Sequence, residues 1–289
     1  MTPPDVSKKV CNVSIEMGTL QSTDNNPQAI HKKALLMGLN YSGQSGQLNG
    51  CINDTDNLAN MLINKKYFTK DEMTIMNDNE SGNLYPGHSQ IYYQLNELVK
   101  FANSFPGEDV LLFWSYSGHG SYQPDEDGDE EDNQDELLCP LDYETNGFIS
   151  DDDIKKTIIN MLPQNAKLFI LIDACHTGTC IDLRYNYLMD GKTISSNNSN
   201  SLPECNVVMI SGCRDDQTSS DAYIQNEYQG AMTAAFIDCF YDGIIYKRLL
   251  KNMRSWLSFK GFDQVPQLSS GKYINLNSIA LLSEYDDHP

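Results

Sequence analysis

Two stretches of this chain are apolar without alternation, and each gives way at once to a short, chemically loaded turn. Residues 110–114 (Val-Leu-Leu-Phe-Trp) run into Ser115-Tyr116-Ser117-Gly118-His119-Gly120, and residues 167–173 run into Ala174-Cys175-His176-Thr177-Gly178. A strand that is apolar on both sides has both faces covered, which is the habit of parallel sheets wrapped by helices. A third such run, residues 34–39, precedes a Gly-rich loop, and residues 73–76 and 207–210 read as further strands. Between them lie amphipathic patterns. Leu58, Met61 and Leu62 recur at helical spacing, as do Ile91, Leu95, Leu98, Val99 and Ala102 before Pro106-Gly107. Ser150 reads as the N-cap of a helix carrying Ile154, Ile158 and Leu162. Helical runs near 231–240 and 246–256 and a strand near 273–276 complete the reading. Strands alternating with helices predict an α/β fold, a mostly parallel central sheet flanked by helices on both faces. In such sheets ligands bind beyond the carboxyl ends of the strands, so the chemistry is expected after Trp114 and Ile172.

The organisation predicted is a flexible N-terminal extension over residues 1–32, a large part over 33–189, a polar linker or loop over 190–204, and a small part over 205–289. The 289 residues carry 40 Asp and Glu against 20 Lys and Arg, a formal charge of −20. That field opposes a phosphate backbone, so nucleic acid is not an expected partner. No apolar run approaches the roughly 20 residues of a membrane span, and the first 30 residues lack the pattern of a secretory signal. A cytoplasmic, reducing compartment is therefore the expectation. Eight cysteines without a CxxC pair argue against a disulfide framework or a zinc site. Cys51, Cys139, Cys205, Cys213 and Cys239 flank apolar residues and read as small core side chains.

His119 stands between two glycines, and Cys175 follows a buried strand at the edge where ligands bind. Either alone carries little. Together they end successive core strands and lie 56 residues apart, close to the roughly 50 of the caspase arrangement. A thiol there, with an ordinary pKa of about 8.5, is ionised by a neighbouring imidazole to become a nucleophile. His176 adjoins the cysteine, and adjacent side chains on a turn diverge, so His119 is the better base.

Ser117-Gly118-His119-Gly120, Asp173-Ala174-Cys175-His176-Thr177-Gly178-Thr179 and the segment 211–222 (Ser-Gly-Cys-Arg-Asp-Asp-Gln-Thr-Ser-Ser-Asp-Ala) together resemble a type I metacaspase, a caspase-fold cysteine peptidase, from about Lys33 onward. Thr177 and Thr179 stand where that family carries serines, keeping the hydroxyls and adding methyls beside the nucleophile. The resemblance implies a caspase-like sheet, Cys175 as nucleophile and His119 as acid/base, and an oxyanion hole from the backbone amides of Gly120 and Cys175. It implies cleavage of protein or peptide substrates after Arg or Lys, with Asp54, Ser117 and Asp173 forming the pocket for the cation. Two carboxylates beside the nucleophile attract a basic side chain and repel an acidic one. From the residues alone, Asp54 also reads as a helix N-cap and Asp173 as an anchor of the turn. Residues 214–219 are expected to line the substrate cleft.

The run 125–136 holds nine carboxylates in twelve residues. Such runs are solvated loops in the ordinary case, and no EF-hand register fits, because placing Gly128 at loop position 6 puts Gln134 where the bidentate glutamate belongs. The resemblance to calcium-dependent metacaspases implies a Ca²⁺ site at Asp135, Asp151, Asp152 and Asp182. It also implies a monomer. Alternatives from the sequence are a legumain-like or paracaspase-like peptidase, or a non-catalytic calcium-responsive binding protein on the same fold.

Overall fold

The structure, a computed structural model, describes residues 30–124, 134–174, 181, 183–187, 193–195, 205–212, 222–224 and 227–281. In chain order, β1 (His31–Gly38), α1 (Cys51–Asn64), β2 (Met73–Asn77), α2 (His88–Asn103) and β3 (Val110–Ser117) open the fold. Next come β4 (Gly120–Pro124), β5 (Gln134–Leu138), α3 (Tyr143–Asn146), β6 (Ile149–Ser150) and α4 (Asp151–Thr157). The chain continues through β7 (Ala166–Asp173), β8 (Tyr185–Tyr187), β9 (Thr193–Ser195), β10 (Asn206–Ser211), β11 (Ala222–Ile224) and β12 (Glu227–Gln229). It ends in α5 (Ala231–Cys239), α6 (Tyr246–Lys260) and β13 (Gln267–Ser270).

One eight-stranded sheet, ordered β2-β1-β3-β7-β10-β13-β8-β9, organises the molecule. The pairs among β2, β1, β3, β7 and β10 are parallel, whereas β13, β8 and β9 pair antiparallel. Strands from the large and small parts thus share one sheet, and the stretch expected as a linker contributes β9 to its edge. The non-alternating strands serve two cores. Leu35, Met37, Trp114 and Ile170 pack on one face with Ile91, Leu95 and Ile154 of α2 and α4. Ala34, Leu36, Phe113 and Phe169 pack on the other with Leu58, Phe236 and Leu249 of α1, α5 and α6. Each strand residue is buried whichever way it points, so the sequence shows no period of two.

Two elements differ from expectation. Ser150 caps α4, its Oγ accepting from the Asp153 N–H at 3.2 Å, but the helix stops at Thr157 and gives way to a 3₁₀ turn over Ile159–Met161. The Thr157 hydroxyl bonds back to Asp153 O at 2.5 Å, and the β-branched succession Thr157, Ile158, Ile159 resists further α-helix. The strand expected near 273–276 is instead β13, which begins right after Pro266. Gln267, Ser269 and Ser270 look like loop residues in the sequence, yet β13 is paired on both sides, by β10 and β8.

Candidate active site

Parallel register brings the ends of three strands level. Gly38 lies opposite Ser117, and Ser117 opposite Asp173. The side chains of Ser117 and Asp173 therefore stand side by side at the carboxyl edge of the sheet, 4% and 1% exposed. Asp54 reaches them from the first turn of α1, where it too is 1% exposed. It does not cap that helix. Gly50 is the N-cap residue, and Asn40 Oδ1 accepts from the Cys51 and Ile52 N–H groups at 2.9 and 3.2 Å, which leaves the Asp54 carboxylate for other partners. Ser117 Oγ donates to Asp54 Oδ2 at 2.5 Å, and the Gly230 N–H donates to Asp54 Oδ1 at 2.7 Å. The Thr233 N–H in the first turn of α5 donates to Asp173 Oδ2 at 2.8 Å. This amide is one that a helix N-terminus otherwise leaves unsatisfied.

The two carboxyls meet under Gly230. A Cβ there would stand 2.2 Å from Asp173 Oδ2 and 2.7 Å from Asp54 Oδ2, so only glycine lets the chain pass over the pair. Burial, followed by the neighbouring Asp173 charge, pushes the Asp54 carboxyl well above its usual range, against the opposing bonds from Ser117 and Gly230. Burial also raises Asp173, against the groups of Thr233, Gln264 and Met232. Among the described residues no Lys or Arg side chain pairs with either carboxyl, and Asp173 Oδ1 has no hydrogen-bond partner. Burial of such a pair favours its protonated form over two adjacent charges.

His119 sits two residues beyond Ser117. Its Nε2 lies 2.6 Å from the Gly46 carbonyl oxygen, and its ring lies 4.6 Å from that of Tyr41. A carbonyl only accepts, so Nε2 carries the hydrogen, and in the neutral imidazole Nδ1 is the basic nitrogen. Gly120 opens β4 opposite Leu138. The preceding pair is closed by Cys139 N–H donating to His119 O at 3.2 Å. In the alternation of an antiparallel ladder the Gly120 amide then points away from β5, as an oxyanion donor has to. Cys175 lies outside the described residues, and so do His176, Asp182 and the expected cleft segment 214–219. In the sequence Cys175 follows Asp173 by two residues, as His119 follows Ser117.

Of the residues expected to hold calcium, Asp151 is 1% exposed at the start of α4, its Oδ1 accepting from the Asp152 N–H at 2.9 Å. Asp135 lies on β5, opposite Gln123 and two residues before Leu137, which pairs with Ser150. β6 ends at Ser150, where α4 begins, and α4 packs against β5. Ile181 and Leu183, which bracket Asp182, are buried in the core that holds Leu138, Ile149 and Ile154. Among the described residues no three His, Cys, Asp or Glu side chains gather as a metal site. The side chain of Asp135 and the whole of Asp182 fall outside them.

Sequence reasoning missed Tyr41, Gly46, Tyr116, Gly230 and Thr233. Gly230, ahead of the helical run at Ala231, carried a signal, since a glycine at a helix N-cap invites the question of what approaches it. Cys51, Cys139 and Cys205 are buried as expected, and burial pushes the half-buried Cys239 thiol up to about 11.

This is the architecture of a caspase-fold peptidase, and comparison with known proteins narrows it. A family model described as metacaspase, peptidase C14 domain, matches residues 32–184. Metacaspase-1 of Meyerozyma guilliermondii is 36% identical, the alignment covering 85% of this chain and 71% of that protein. Metacaspase-1 of Saccharomyces cerevisiae is 33% identical over 90% and 72%, and that of Mycosarcoma maydis 31% identical over 95% and 79%. Among solved structures, protein GSU0716 from Geobacter sulfurreducens superposes with a TM-score of 0.60 at 20% identity, over 89% of this chain and all of that one. Caspase-1 from Spodoptera frugiperda does so with a TM-score of 0.52 at 13% identity, over 85% and 90%. The second likeness shows the caspase-like fold. The chain belongs to the metacaspase family and is a cysteine endopeptidase.

Proposed function

We propose that this peptidase cleaves after Arg or Lys, with Cys175 as nucleophile, His119 as acid/base, Asp54, Ser117 and Asp173 as the pocket for the basic side chain, and Ca²⁺ as activator. The observation that carries the reading is the carboxyl pair under Gly230, buried, close together and without a cationic partner among the described residues. A guanidinium or ammonium entering there would offset the repulsion, donate hydrogen bonds to the open lone pairs and favour the ionised form of both carboxyls. An acidic side chain would add a third negative charge.

In this reading His119 Nδ1 takes the thiol proton, the thiolate attacks the carbonyl carbon, and the developing oxyanion meets the Gly120 amide together with that of Cys175. The imidazolium returns its proton to the leaving amine, and water hydrolyses the acyl-enzyme. Asp135, Asp151, Asp152 and Asp182 would hold Ca²⁺, and an all-oxygen donor set with a buried carboxylate fits a hard cation. When bound, the ion would supply the charge that lets these carboxylates converge. The protein acts as a monomer on this reading, supported by β13, whose two edges are taken by β10 and β8. The charge of −20 and the absence, among the described residues, of a helix long and apolar enough to cross a membrane support neither a nucleic-acid nor a lipid partner.

The test is a calcium titration of hydrolysis, comparing peptides that differ only in ending with Arg, Lys or Asp before a fluorogenic group. Calcium-stimulated release from the Arg and Lys peptides alone is expected. Equal turnover of the Asp peptide would overturn the specificity, and full activity in excess chelator would overturn the activation.

A further inference from the structure

We propose that Tyr41 and Tyr116 are positioning residues for His119, holding its main chain in a closed square of four hydrogen bonds with Cys139. The inference rests on His119 being the acid/base.

The square can be traced group by group. His119 N–H donates to Tyr41 Oη at 2.9 Å, and Tyr41 O–H donates to Cys139 O at 2.6 Å. Cys139 N–H donates to Tyr116 Oη at 3.2 Å, and Tyr116 O–H donates to His119 O at 2.8 Å. The two hydroxyl oxygens are 3.1 Å apart. Each hydroxyl has one hydrogen; that of Tyr116 takes the shorter of two contacts, since Cys139 O lies at 3.1 Å, and the Cys139 N–H is shared between Tyr116 Oη and His119 O, each at 3.2 Å. His119 and Cys139 stand where the β4–β5 ladder would place its next hydrogen-bonded pair. Two such residues ordinarily exchange both N–H···O bonds. Only Cys139 N–H to His119 O, at 3.2 Å, is made directly. In place of the other, the Tyr41 hydroxyl bridges the strands.

Three further features exist to keep this arrangement. Tyr41 has φ +54°, the left-handed region that an aromatic residue enters only at a cost. The amides on either side of it, Asn40 N–H and Ser42 N–H, both donate to the Asp78 carboxylate at 2.8 Å, one to each oxygen. Gly118 leaves room for the hydroxyls, since a Cβ there would stand 2.9 Å from Tyr116 Oη and 3.0 Å from Tyr41 Oη. Both tyrosines are 1% exposed, and burial raises their hydroxyls well above the usual phenol range, which favours the O–H donors. The loop that carries Tyr41 also supplies Gly46 O for the imidazole Nε2. The hydroxyl square sets where the His119 backbone stands, and the loop sets where its ring points.

Displacing a catalytic group by about an ångström costs up to about 100-fold in rate. Tyr41→Phe and Tyr116→Phe keep the rings and remove one hydroxyl each. Against an Arg-ending fluorogenic peptide, each is expected to lower kcat by about 10- to 100-fold, with KM within twofold because Asp54, Ser117 and Asp173 are untouched. The double variant should be little worse than either single one, since a square opened once is open. In protein labelled with ¹³C at histidine Cε1, the His119 signal, assigned through His119→Gln, should move or broaden in both variants. A thermal melt on each variant separates positioning from loss of fold. If Tyr116→Phe fails to fold, Tyr41→Phe and its His119 signal decide. An unchanged kcat with an unmoved His119 signal, or a loss confined to KM, would overturn the inference. If instead His119→Gln retains activity, the acid/base assignment itself falls, whatever the tyrosine variants show.

Discussion

Asp54→Asn is expected to make the protein more stable at neutral pH and less able to use Arg substrates. Asp54 Oδ2 and Asp173 Oδ2 lie 2.7 and 2.2 Å from the point where a Gly230 Cβ would stand, so the two oxygens are at most about 5 Å apart. Two full charges at that distance repel by about 3 kcal/mol at an effective dielectric near 20. Burial first, and for Asp54 the neighbouring Asp173 charge second, raise these carboxyls and so favour their protonated forms in the folded protein. The direction of the pH effect follows. In the unfolded chain these groups ionise near 3.8, whereas in the folded one they hold their protons to higher pH. Between those limits the native state binds more protons, so its stability declines as pH rises. Below the lower limit both states are protonated and the penalty vanishes.

An asparagine keeps the shape, accepts from the Gly230 N–H through its carbonyl, and offers Ser117 Oγ an N–H in place of a carboxylate. Thermal melts in chelator, without substrate, should therefore show Asp54→Asn above the parent by a few degrees at pH 8, up to about 3 kcal/mol. The difference should close toward pH 4. The same variant should lose about 30-fold or more in kcat/KM for Arg and Lys peptides, since one charge-assisted pair is gone. A variant melting below the parent at pH 8, or a gap independent of pH, would show that the pair is not a site of repulsion. Undiminished Arg selectivity would show that it is not the pocket.

Cys175→Ala should abolish hydrolysis while leaving the melting temperature within about 2 °C; residual turnover within tenfold of the parent would remove the nucleophile assignment. Gly230→Ala should raise KM for Arg peptides more than tenfold with a smaller change in kcat, because the new Cβ would stand 2.2 Å from Asp173 Oδ2 and push the pair apart; steady-state kinetics read this directly, and an unchanged KM would refute it. Combining Asp151→Ala with Asp152→Ala should remove calcium stimulation but not alkylation of the protein thiol by iodoacetamide, and Mg²⁺ should replace Ca²⁺ poorly in the parent because it demands an octahedron. Calcium stimulation surviving in that variant would place the activating site elsewhere.

Much of the fold was legible because burial on both faces leaves a mark that composition cannot hide. Val110, Leu111, Leu112, Phe113 and Trp114 alternate between the two cores and are all buried, so the run announces a covered parallel strand. What escaped notice were strands whose pairing comes from their neighbours. β13 consists of Gln, Leu, Ser and Ser between two partners, and β4, β5 and β6 form a separate three-stranded sheet on the flanks of the acidic run. Their hydrogen bonds are fixed by tertiary placement, and β propensity reports little of that.

The site divides in the same way, and the division says what kind of information a sequence carries. His119 was singled out because it follows a run of buried strand, so position along the chain gave position in space. Asp173, by contrast, entered the pocket only through the family resemblance, the residues alone reading it as an anchor of the turn. Asp54 was ambiguous, since an aspartate at the start of a helix reads equally well as a cap. The structure removes the cap reading, since Asn40 accepts from the first amides of the helix, and it shows Gly230, 176 residues away, bonded to the carboxylate. Tyr41, Gly46 and Tyr116 left no sequence signature at all, because they act on His119 through its backbone, or through a carbonyl that any residue could supply. The side chains that do chemistry announce themselves by type. Those that aim them are defined by where their hydroxyls and carbonyls arrive, and the left-handed Tyr41 between two amides held by Asp78 is the one place where that aiming shows in the backbone.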